Sequence, residues 1–238
     1  LAATEGQDAM GTPIARQWAG RFSAGWRDPF WEIFALYRHF DDGFDPGMGF
    51  VRRTGIDHSY ATIGIRPRPN WPWILELNPY LEGQVFANPE GLVETRLHTG
   101  GLDLDFRDGS SASLGVTDRF EHVFEPFAVR GSEVMPGRYD FREGSASYQT
   151  SGARRISGRV NVGGGGYFGG DRFSIGGNVL GRLGHQVLLQ LSANHNVIEL
   201  PEQAVTTADV YGANLDVFFS VRLMTSAFVQ YNAASEEF

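Results

Sequence analysis

Alternation of apolar and polar residues with a period of two is the feature that most constrains this chain of 238 residues. In residues 102–107 the order is Leu, Asp, Leu, Asp, Phe and Arg, and the same pattern recurs in 156–162, 186–192 and 211–223. Successive side chains of a strand point to opposite faces, so each such segment has one apolar and one polar face. No segment of useful length has a helical period. The sequence therefore predicts an all-β antiparallel protein.

The alternation predicts about twelve strands joined mostly by tight turns. Their approximate ranges are 12–24, 30–40, 57–67, 71–86, 91–107, 110–126, 136–148, 153–165, 170–182, 185–198, 206–221 and 224–232. Asp108-Gly109 predicts a type I′ hairpin turn, and 169–171 and 183–185 predict further short turns. Longer polar connections are predicted at 41–57, 127–136 and 199–206.

Strand length distinguishes two all-β architectures. Strands of a soluble β-sandwich usually have about five or six residues, whereas several of these segments have thirteen or more. Long strands joined by short turns and longer loops are typical of an up-and-down transmembrane β-barrel, either complete or part of a larger one. A sandwich would instead bury Leu104, Val160 and Leu215 against a second sheet.

Aromatic residues cluster toward the ends of the segments, as in the girdles of membrane barrels. They are Trp26, Phe30, Trp31, Phe40, Trp71, Trp73, Tyr80, Phe124, Phe127, Tyr167 and Phe168. The alternative is that these rings pack the core of a sandwich.

Composition excludes several classes of chemistry. The chain has no cysteine and no lysine, so all 20 basic residues are arginine. This excludes disulfides, thiolate metal sites, cysteine nucleophiles, Schiff bases and a Walker lysine. The net charge of −8 and a pI near 5.2 disfavour binding to nucleic acid.

The chain has no run of 18 apolar residues, and its mean hydropathy is −0.24. A membrane protein that crosses with strands has no such run either. The chain begins with Leu and shows no signal peptide, so we expect a processed chain or a piece of a longer polypeptide. We expect a single barrel domain, or a fragment of one, over 1–238, with a flexible segment at 1–11.

The ionisable residues give no strong catalytic signal. The six histidines lack metal-ligand spacing, so the sequence predicts neither a metal nor a cofactor. Asp103 and Asp105 share a strand face, where a polar surface is a simpler interpretation than an acid/base pair. The arginine pairs 52–53 and 154–155 are adjacent in sequence, and neighbouring strand residues face opposite ways. Each pair is therefore not expected to act as one clamp.

If the apolar faces meet lipid, the polar faces line a lumen. The lumen-facing candidates are Asp103, Asp105, Arg159, Gln190, Asn214, Asp216 and Arg222.

An ordered series of motifs resembles one bacterial family of uncharacterised proteins. The run Phe44-Asp-Pro-Gly-Met-Gly-Phe50-Val-Arg52-Arg53 resembles its F-N-P-E-x-G-F-x-x-R signature, with Asp45 in place of the usual Asn. Further matches are Phe120-Glu-His-Val-Phe-Glu-Pro126-Phe127, Pro136-Gly137-Arg-Tyr139, Gly166-Tyr-Phe-Gly169-Gly-Asp-Arg172, Asn196-Val-Ile-Glu-Leu200-Pro201 and Val229-Gln230-Tyr231-Asn232. The family is DUF5916, and the resemblance covers about residues 30–232.

The resemblance implies an outer-membrane-type barrel domain, often preceded by a family-9-like carbohydrate-binding module. The family's domain is longer than this chain, so the resemblance implies that the chain is a C-terminal part of it. The motif residues have no role assigned by the resemblance. They are Phe44, Pro46, Gly49, Phe50, Arg53, Glu125, Pro126, Phe127, Gly137, Tyr139, Leu200, Pro201, Gln230 and Asn232.

Three functional hypotheses follow. The first is a non-enzymatic barrel of the bacterial outer membrane that forms a pore or anchors a periplasmic glycan-binding module. Its partners would be outer-membrane lipid, a glycan or module of the same polypeptide, or further subunits of a membrane assembly. The second is a carbohydrate-active envelope protein that binds glycans or hydrolyses them with carboxylates such as Asp103 or Glu121. The third is a soluble β-sandwich interaction domain.

Overall fold

The computed structural model describes residues 2–4, 17–45, 54–129 and 132–233, with only the backbone of 2–4. This part of the chain contains fifteen β-strands and no α-helix. The strands are β1 (Ala2–Thr4), β2 (Gln17–Arg27), β3 (Trp31–Phe40), β4 (Ile56–Ile65), β5 (Ile74–Ala87), β6 (Val93–Phe106), β7 (Ser111–Val123), β8 (Phe127–Val129), β9 (Ser132–Val134), β10 (Gly137–Gln149), β11 (Ile156–Tyr167), β12 (Gly170–Leu183), β13 (Val187–Glu199), β14 (Thr206–Ser220) and β15 (Leu223–Asn232). None of the described residues forms a helix able to cross a membrane.

Thirteen strands form a single antiparallel sheet in which neighbours along the chain are neighbours in space. The order is β1-β2-β3-β4-β5-β6-β7-β10-β11-β12-β13-β14-β15, and β8 and β9 form a separate hairpin. The prediction of an all-β antiparallel up-and-down sheet is therefore confirmed. Within the described residues β1 and β15 remain the two edges and do not pair, so the sheet is open between them.

The twelve long strands correspond one to one with the twelve predicted segments. The three short strands were missed, because three residues are too few to show a period. β8 and β9 lie in the connection predicted as an irregular loop at 127–136. β1 pairs with β2 through Ala2–Thr4, which lie within the segment 1–11 that was predicted to be flexible. Residues 1 and 5–11 lie outside the described part.

The turns differ in type from the prediction. At Asp108-Gly109 only the glycine has a positive φ, of 81°. The amide of Gly109 donates to Phe106 O, so this is a type I turn ending in a left-handed glycine rather than type I′. A type I′ pattern occurs instead between β11 and β12, where Phe168 and Gly169 have φ values of 47° and 83°. Phenylalanine is strained there, and the contacts of its ring compensate, as described below.

The strand register aligns every second residue of each long strand on one face of the sheet and the residues between them on the other face. Leu102 lies opposite Leu114, and Val162 lies opposite Ile175, on what we call the apolar face. Asp103 lies opposite Ser113, and Gln190 opposite Asn214, on what we call the polar face. The alternation in the sequence is thus converted into two chemically distinct surfaces.

Burial is confined to the polar face. The buried apolar strand residues Ala19, Leu36, Ile56, Ile198 and Ala208 all have the parity of that face. On β4, exposed and shielded residues alternate, and Ser59, Ala61 and Ile63 of the apolar face are the exposed ones. This difference is what a curved sheet produces when its polar face is concave.

No second sheet covers the apolar face within the described residues. Val160 is 47% exposed and Leu215 is 39% exposed on this face, and Leu104 is only half-buried. The packing that a sandwich requires at these three positions is therefore absent from the described structure.

The connections at the two ends of the strands differ in length. The connections at one end, the turn end, are residues 28–30, 66–73, 107–110, 150–155, 184–186 and 221–222. The connections at the other end, the loop end, are 41–55, 88–92, 124–136, 168–169 and 200–205, and they include the longest ones.

The β8–β9 hairpin folds over the polar face at the loop end. Val134 packs with Ile198 and Leu200 to form what we call the loop-end cluster. The partly buried residues around this cluster are Val123, Val129, Tyr139, Tyr167 and Phe168. Polar contacts hold the hairpin in place, since Glu133 N donates to Gln203 Oε1 over 2.8 Å and Gln203 Nε2 donates to Glu133 O over 2.7 Å.

Phe168 is the aromatic hub beside this cluster. Its ring centroid lies 4.8 Å from Tyr167, 5.3 Å from Tyr139 and Phe141, and 5.6 Å from Phe127. Four aromatic neighbours, each worth about 0.5–1.5 kcal/mol beyond area burial, outweigh a left-handed backbone penalty of about 1–2 kcal/mol.

We expect Leu200→Ala to destabilise the fold by about 2–3 kcal/mol, because it removes a buried side chain from the loop-end cluster. Leu200 is 4% exposed, whereas Val205 in the same connection is 56% exposed. Val205→Ala should therefore change the free energy of unfolding by less than about 0.5 kcal/mol. Urea unfolding followed by tryptophan fluorescence measures both variants. Equal effects of the two substitutions would contradict a packed cluster at the loop end.

Candidate functional site: the polar face

Six of the seven lumen-facing candidates lie on the polar face. Asp103 and Asp105 are on β6, Arg159 is on β11, and Gln190 lies directly opposite Asn214. Asn214 Nδ2 donates to Asp216 over 3.1 Å, so these two residues are in contact. The seventh candidate, Arg222, does not lie on a strand face. Arg222 occupies the two-residue turn between β14 and β15, because the strand ends at Ser220 after a bulge.

A chain of alternating charges crosses the middle of the polar face, and sequence reasoning missed it. Thr95 Oγ1 donates to Glu121 over 2.6 Å, and Arg119 NH1 donates to the other oxygen of Glu121 over 3.1 Å. Arg119 Nε lies 3.7 Å from Glu143, and Glu143 also binds Arg172. We call Thr95, Glu121, Arg119, Glu143 and Arg172 the charge ladder. Its members come from β6, β7, β10 and β12, four of five consecutive strands of the sheet, so only the strand order brings them together.

The charge ladder is joined to the loop-end cluster. The Arg172 guanidinium carbon lies 4.8 Å from the centroid of the Tyr167 ring, a cation–π contact. On the polar face, the aromatic residues of the loop end are therefore in direct contact with the charged residues of the ladder.

A second ion-pair group lies at the turn end. Glu76 is 5% exposed and accepts from Arg66 and Arg68, with N–O distances of 2.6 Å and 2.7 Å. Both arginines come from the connection between β4 and β5. A buried carboxylate with two guanidinium partners is fully compensated, and this pairing holds the connection against the sheet. The sequence offers no periodic signal for such a contact.

The two carboxylates proposed for glycan chemistry are both engaged by neighbouring donors. Asp103 accepts from the Ser113 hydroxyl, and Glu121 belongs to the charge ladder. They lie on different strands, with Asp103 toward the turn end and Glu121 toward the loop end.

The one conspicuous histidine cluster lies on the apolar face at the loop end. His39 Nδ1 is 2.7 Å from Asp57, His39 Nε2 is 2.9 Å from Asp41, and the Trp18 ring stacks on the imidazole at 4.2 Å. Tyr37 OH also donates to Asp57 over 2.6 Å. Among the described residues, no three His, Asp or Glu side chains are arranged to hold a metal ion.

The predicted aromatic girdle is only partly formed. Trp26, Phe30, Trp31, Trp71 and Trp73 are exposed at the turn end. Tyr80 lies in the middle of β5 on the polar face, and Phe40, Tyr167 and Phe168 face the interior of the loop end.

The paired arginines act separately. Arg154 NH2 donates to Asp108 over 2.6 Å, whereas the amide of Arg182 bonds to the carbonyl of Arg155. The prediction that each pair does not form a single clamp assumed strand geometry, whereas Arg154 and Arg155 lie in the connection 150–155 at the turn end. Arg52 and Arg53 lie outside the described residues.

Most described motif residues gather at the loop end. Phe127, Tyr139 and Leu200 belong to the loop-end cluster or its aromatic hub, and a Cβ at Gly169 would lie 3.7 Å from Pro201 Cγ. Glu125, Pro126, Gly137, Gln230 and Asn232 lie at the same end. Phe44 is 7% exposed and packs near Phe40, with ring centroids 6.1 Å apart. The remaining positions, Pro46, Gly49, Phe50 and Arg53, lie outside the described residues.

Comparisons with protein-family models, with curated proteins and with solved structures found no match. The fold and the polar face define an all-β protein built on one large antiparallel sheet. The family resemblance stays a prediction from the motifs.

We expect Glu143→Gln to destabilise the protein by about 1–3 kcal/mol, because two arginines lose their shared carboxylate. The Glu143 side chain is 12% exposed, and that of Asp140, on the same strand but the opposite face, is 69% exposed. Asp140→Asn is therefore the matched control, with an expected effect below about 0.5 kcal/mol. Urea unfolding measures both. A neutral Glu143→Gln would mean that the charge ladder does not stabilise the sheet.

The turn carboxylate Asp108 should make stability depend on pH. The hydroxyl and amide of Ser110, and then Arg154, hold the pKa of Asp108 below its ordinary value of 3.8. A lowered pKa in the folded state stabilises the protein above the unfolded value and loses this effect as the pH falls through the folded pKa. The stability difference between the wild type and Asp108→Asn should therefore be constant at pH 5–7 and shrink below about pH 4. Unfolding curves at stepped pH test this, and a difference that does not change with pH would contradict it.

Proposed function

We propose that this chain forms the wall of a bacterial outer-membrane β-barrel, with the apolar face toward lipid and the polar face toward a lumen. The observation that carries the proposal is the exposure of large apolar side chains on the apolar face from β2 to β15, with Met224 and Phe228 of the edge strand β15 as exceptions on the polar face. The exposed side chains of the apolar face are Phe22, Trp26, Ile33, Ile63, Leu81, Leu114, Val116, Tyr148, Val160, Val162, Ile175, Val179, Leu191, Tyr211, Leu215 and Val229.

Such a surface is unfavourable in water. Soluble monomers rarely expose contiguous apolar patches larger than a few hundred Å². Here the exposed side chains form a band with members on eleven of the twelve long strands, all but β6, while the charge ladder and the Glu76 ion pairs lie on the concave side. A soluble protein distributes these groups the other way round.

The height of the apolar band matches a bilayer. On β5 the apolar face runs from Leu77 to Val85, and on β14 it runs from Tyr211 to Phe219. Nine residues at about 3.3 Å each, tilted by about 40°, span roughly 23 Å. The hydrophobic band of an outer-membrane barrel is about 25 Å tall.

Polar side chains delimit the band on both sides. At the turn end lie the exposed tryptophans, and Trp26 Nε1 donates to Asp28 over 2.9 Å, so its indole has an apolar body and a satisfied polar group. Toward the loop end the apolar face carries Asp118 and Arg142, which form an ion pair at 2.8 Å, and the pair His195–Asp209. Charged groups at this level would lie in the headgroup region rather than in hydrocarbon.

The lumen would be wide at the turn end and narrowed at the loop end. The β8–β9 hairpin and the loop-end cluster cover the polar face there, whereas the middle and the turn end keep polar cavities between the side chains. This arrangement supports a pore role more than a catalytic one. Anchoring of a periplasmic glycan-binding module rests on the family resemblance alone.

We expect Leu191→Arg to weaken folding into lipid vesicles by about 2–4 kcal/mol, since it places a charge in the middle of the apolar band. Asn194→Arg on the same strand is the control, because Asn194 is exposed on the polar side, and this variant should fold into vesicles as well as the wild type. The measurement is refolding of the urea-unfolded full chain into vesicles, followed by tryptophan fluorescence.

Two results would overturn the proposed membrane insertion. One is folding of Leu191→Arg into vesicles with unchanged stability. The other is refolding of the wild-type chain to a monomer in buffer that contains neither lipid nor detergent.

A further inference from the structure

The polar face carries an arginine cavity near the turn end, formed by β10, β11, β12 and β13. Its volume is about 270 Å³, and it is lined by Gln149, Ser157, Arg159, Asn178, Arg182 and Gln190, among others. The register places Gln149, Arg159 and Asn178 directly opposite one another on three neighbouring strands. The cavity is therefore a consequence of the strand order and not of a loop conformation.

The hydrogen bonds inside the cavity leave mainly donors facing its space. Arg159 Nε donates to Gln149 Oε1 over 2.9 Å, and a second nitrogen of the same guanidinium donates to the same oxygen. Asn178 Oδ1 accepts from Arg159 N over 3.2 Å. The Gln149 oxygen accepts from the Arg159 guanidinium and the Asn178 oxygen accepts from the Arg159 backbone amide, so the NH₂ groups of both amides remain as donors.

The second guanidinium is also held by neutral groups. Arg182 NH1 donates to Arg154 O over 2.9 Å and lies 3.3 Å from Ser157 Oγ. Neither Arg159 nor Arg182 forms an ion pair with a carboxylate of the described residues, and no carboxylate lines the cavity. Both positive charges therefore remain uncompensated.

The acidic side chains near the cavity have other hydrogen-bond or ion-pair partners. Arg154 takes Asp108 at the turn end, and Arg172 takes Glu143 further along the polar face. Asp216 on β14 accepts from Ser226 Oγ over 2.6 Å and from Asn214. In the charge ladder Arg119 and Arg172 are paired with carboxylates, whereas Arg159 and Arg182 line one cavity without a carboxylate.

We propose that the arginine cavity binds a phosphate-type oxyanion, either inorganic phosphate or the phosphate group of a small solute. Guanidinium forks bind phosphate oxygens in pairs, and their hydrogen bonds to an anion are about twice as strong as neutral ones. Donors that converge from several strands suit a tetrahedral anion with oxygens in several directions better than a planar carboxylate. A role of this site in the passage of anions through a pore rests on the proposed function. The binding of phosphate does not depend on it.

The binding test uses the full chain refolded in a phosphate-free non-ionic detergent, with inorganic phosphate titrated by calorimetry at fixed chloride. We expect saturable binding that is weakened at least about tenfold when Arg159→Gln and Arg182→Gln are combined. Arg159→Lys keeps the charge without the fork and should give an intermediate affinity. Arg138→Gln is the matched control, because Arg138 is exposed on the apolar face at the loop end and its loss should leave the affinity unchanged.

The outcomes separate this site from the pore. Absence of saturable binding, or equal affinity in the double variant and the wild type, overturns the phosphate site. Competition by phosphatidylglycerol added to the micelles overturns a solute ligand in favour of a lipid headgroup. Phosphate binding without ion current across a planar bilayer keeps the site and overturns the pore, and current without phosphate binding does the reverse.

Discussion

The structure depends on an unbroken antiparallel register. Through twelve long strands, this register keeps the alternate apolar residues on one face and the alternate polar residues on the other. A slip of one residue in any strand would exchange its two faces and place charges among apolar side chains. The three bulges, near Ile74, Phe86 and Ser220, lie at strand ends. They adjust the connections without disturbing the parity in the middle of the sheet. The chemical separation of the two faces therefore follows from hydrogen bonding, and the apolar band and the polar cavities are both consequences of it.

The polar face has to satisfy its own groups, because its concave shape shields them from water. It does so in three zones along the strands. Aromatic and aliphatic packing fills the loop end around Val134 and Leu200, and the charge ladder spans the middle. Toward the turn end, Glu76 is fully paired while Arg159 and Arg182 are not. Arg21 and Arg38, opposite each other on β2 and β3, likewise form no ion pair within the described residues. What distinguishes Arg159 and Arg182 is the cavity that they line together.

The sequence predicted what depends on local periodicity and failed where contacts are distant in the chain. The twelve long strands, and the facing of Asp103, Gln190 and Asn214, follow from alternation alone. The same alternation put Arg222 among the lumen-facing residues, although Arg222 lies in the two-residue turn after Ser220 and has no strand face. The charge ladder joins residues from 95 to 172, and the β8–β9 hairpin is too short for a period. The type of the turn at Asp108-Gly109 could not be predicted from the sequence either, because the same dipeptide occurs in more than one turn type.

The two edge strands of the sheet, β1 and β15, do not pair with each other within the described residues. β1 pairs only with Gln17–Ala19, which leaves residues 20–27 of β2 with one neighbour, and β15 has a neighbour on one side only within the described chain. Phe228 and Met224 of β15 are exposed although they have the parity of the concave face. Twelve long strands are an even number, so β2 and β15 run antiparallel, as the first and last strands of a closed bacterial barrel do. Backbone groups at an open edge have no partners in hydrocarbon. A lipid environment would therefore require β15 to pair either with the free part of β2 or with strands from elsewhere in a longer polypeptide or assembly, and the directions of the two edge strands allow the first without rearranging the sheet.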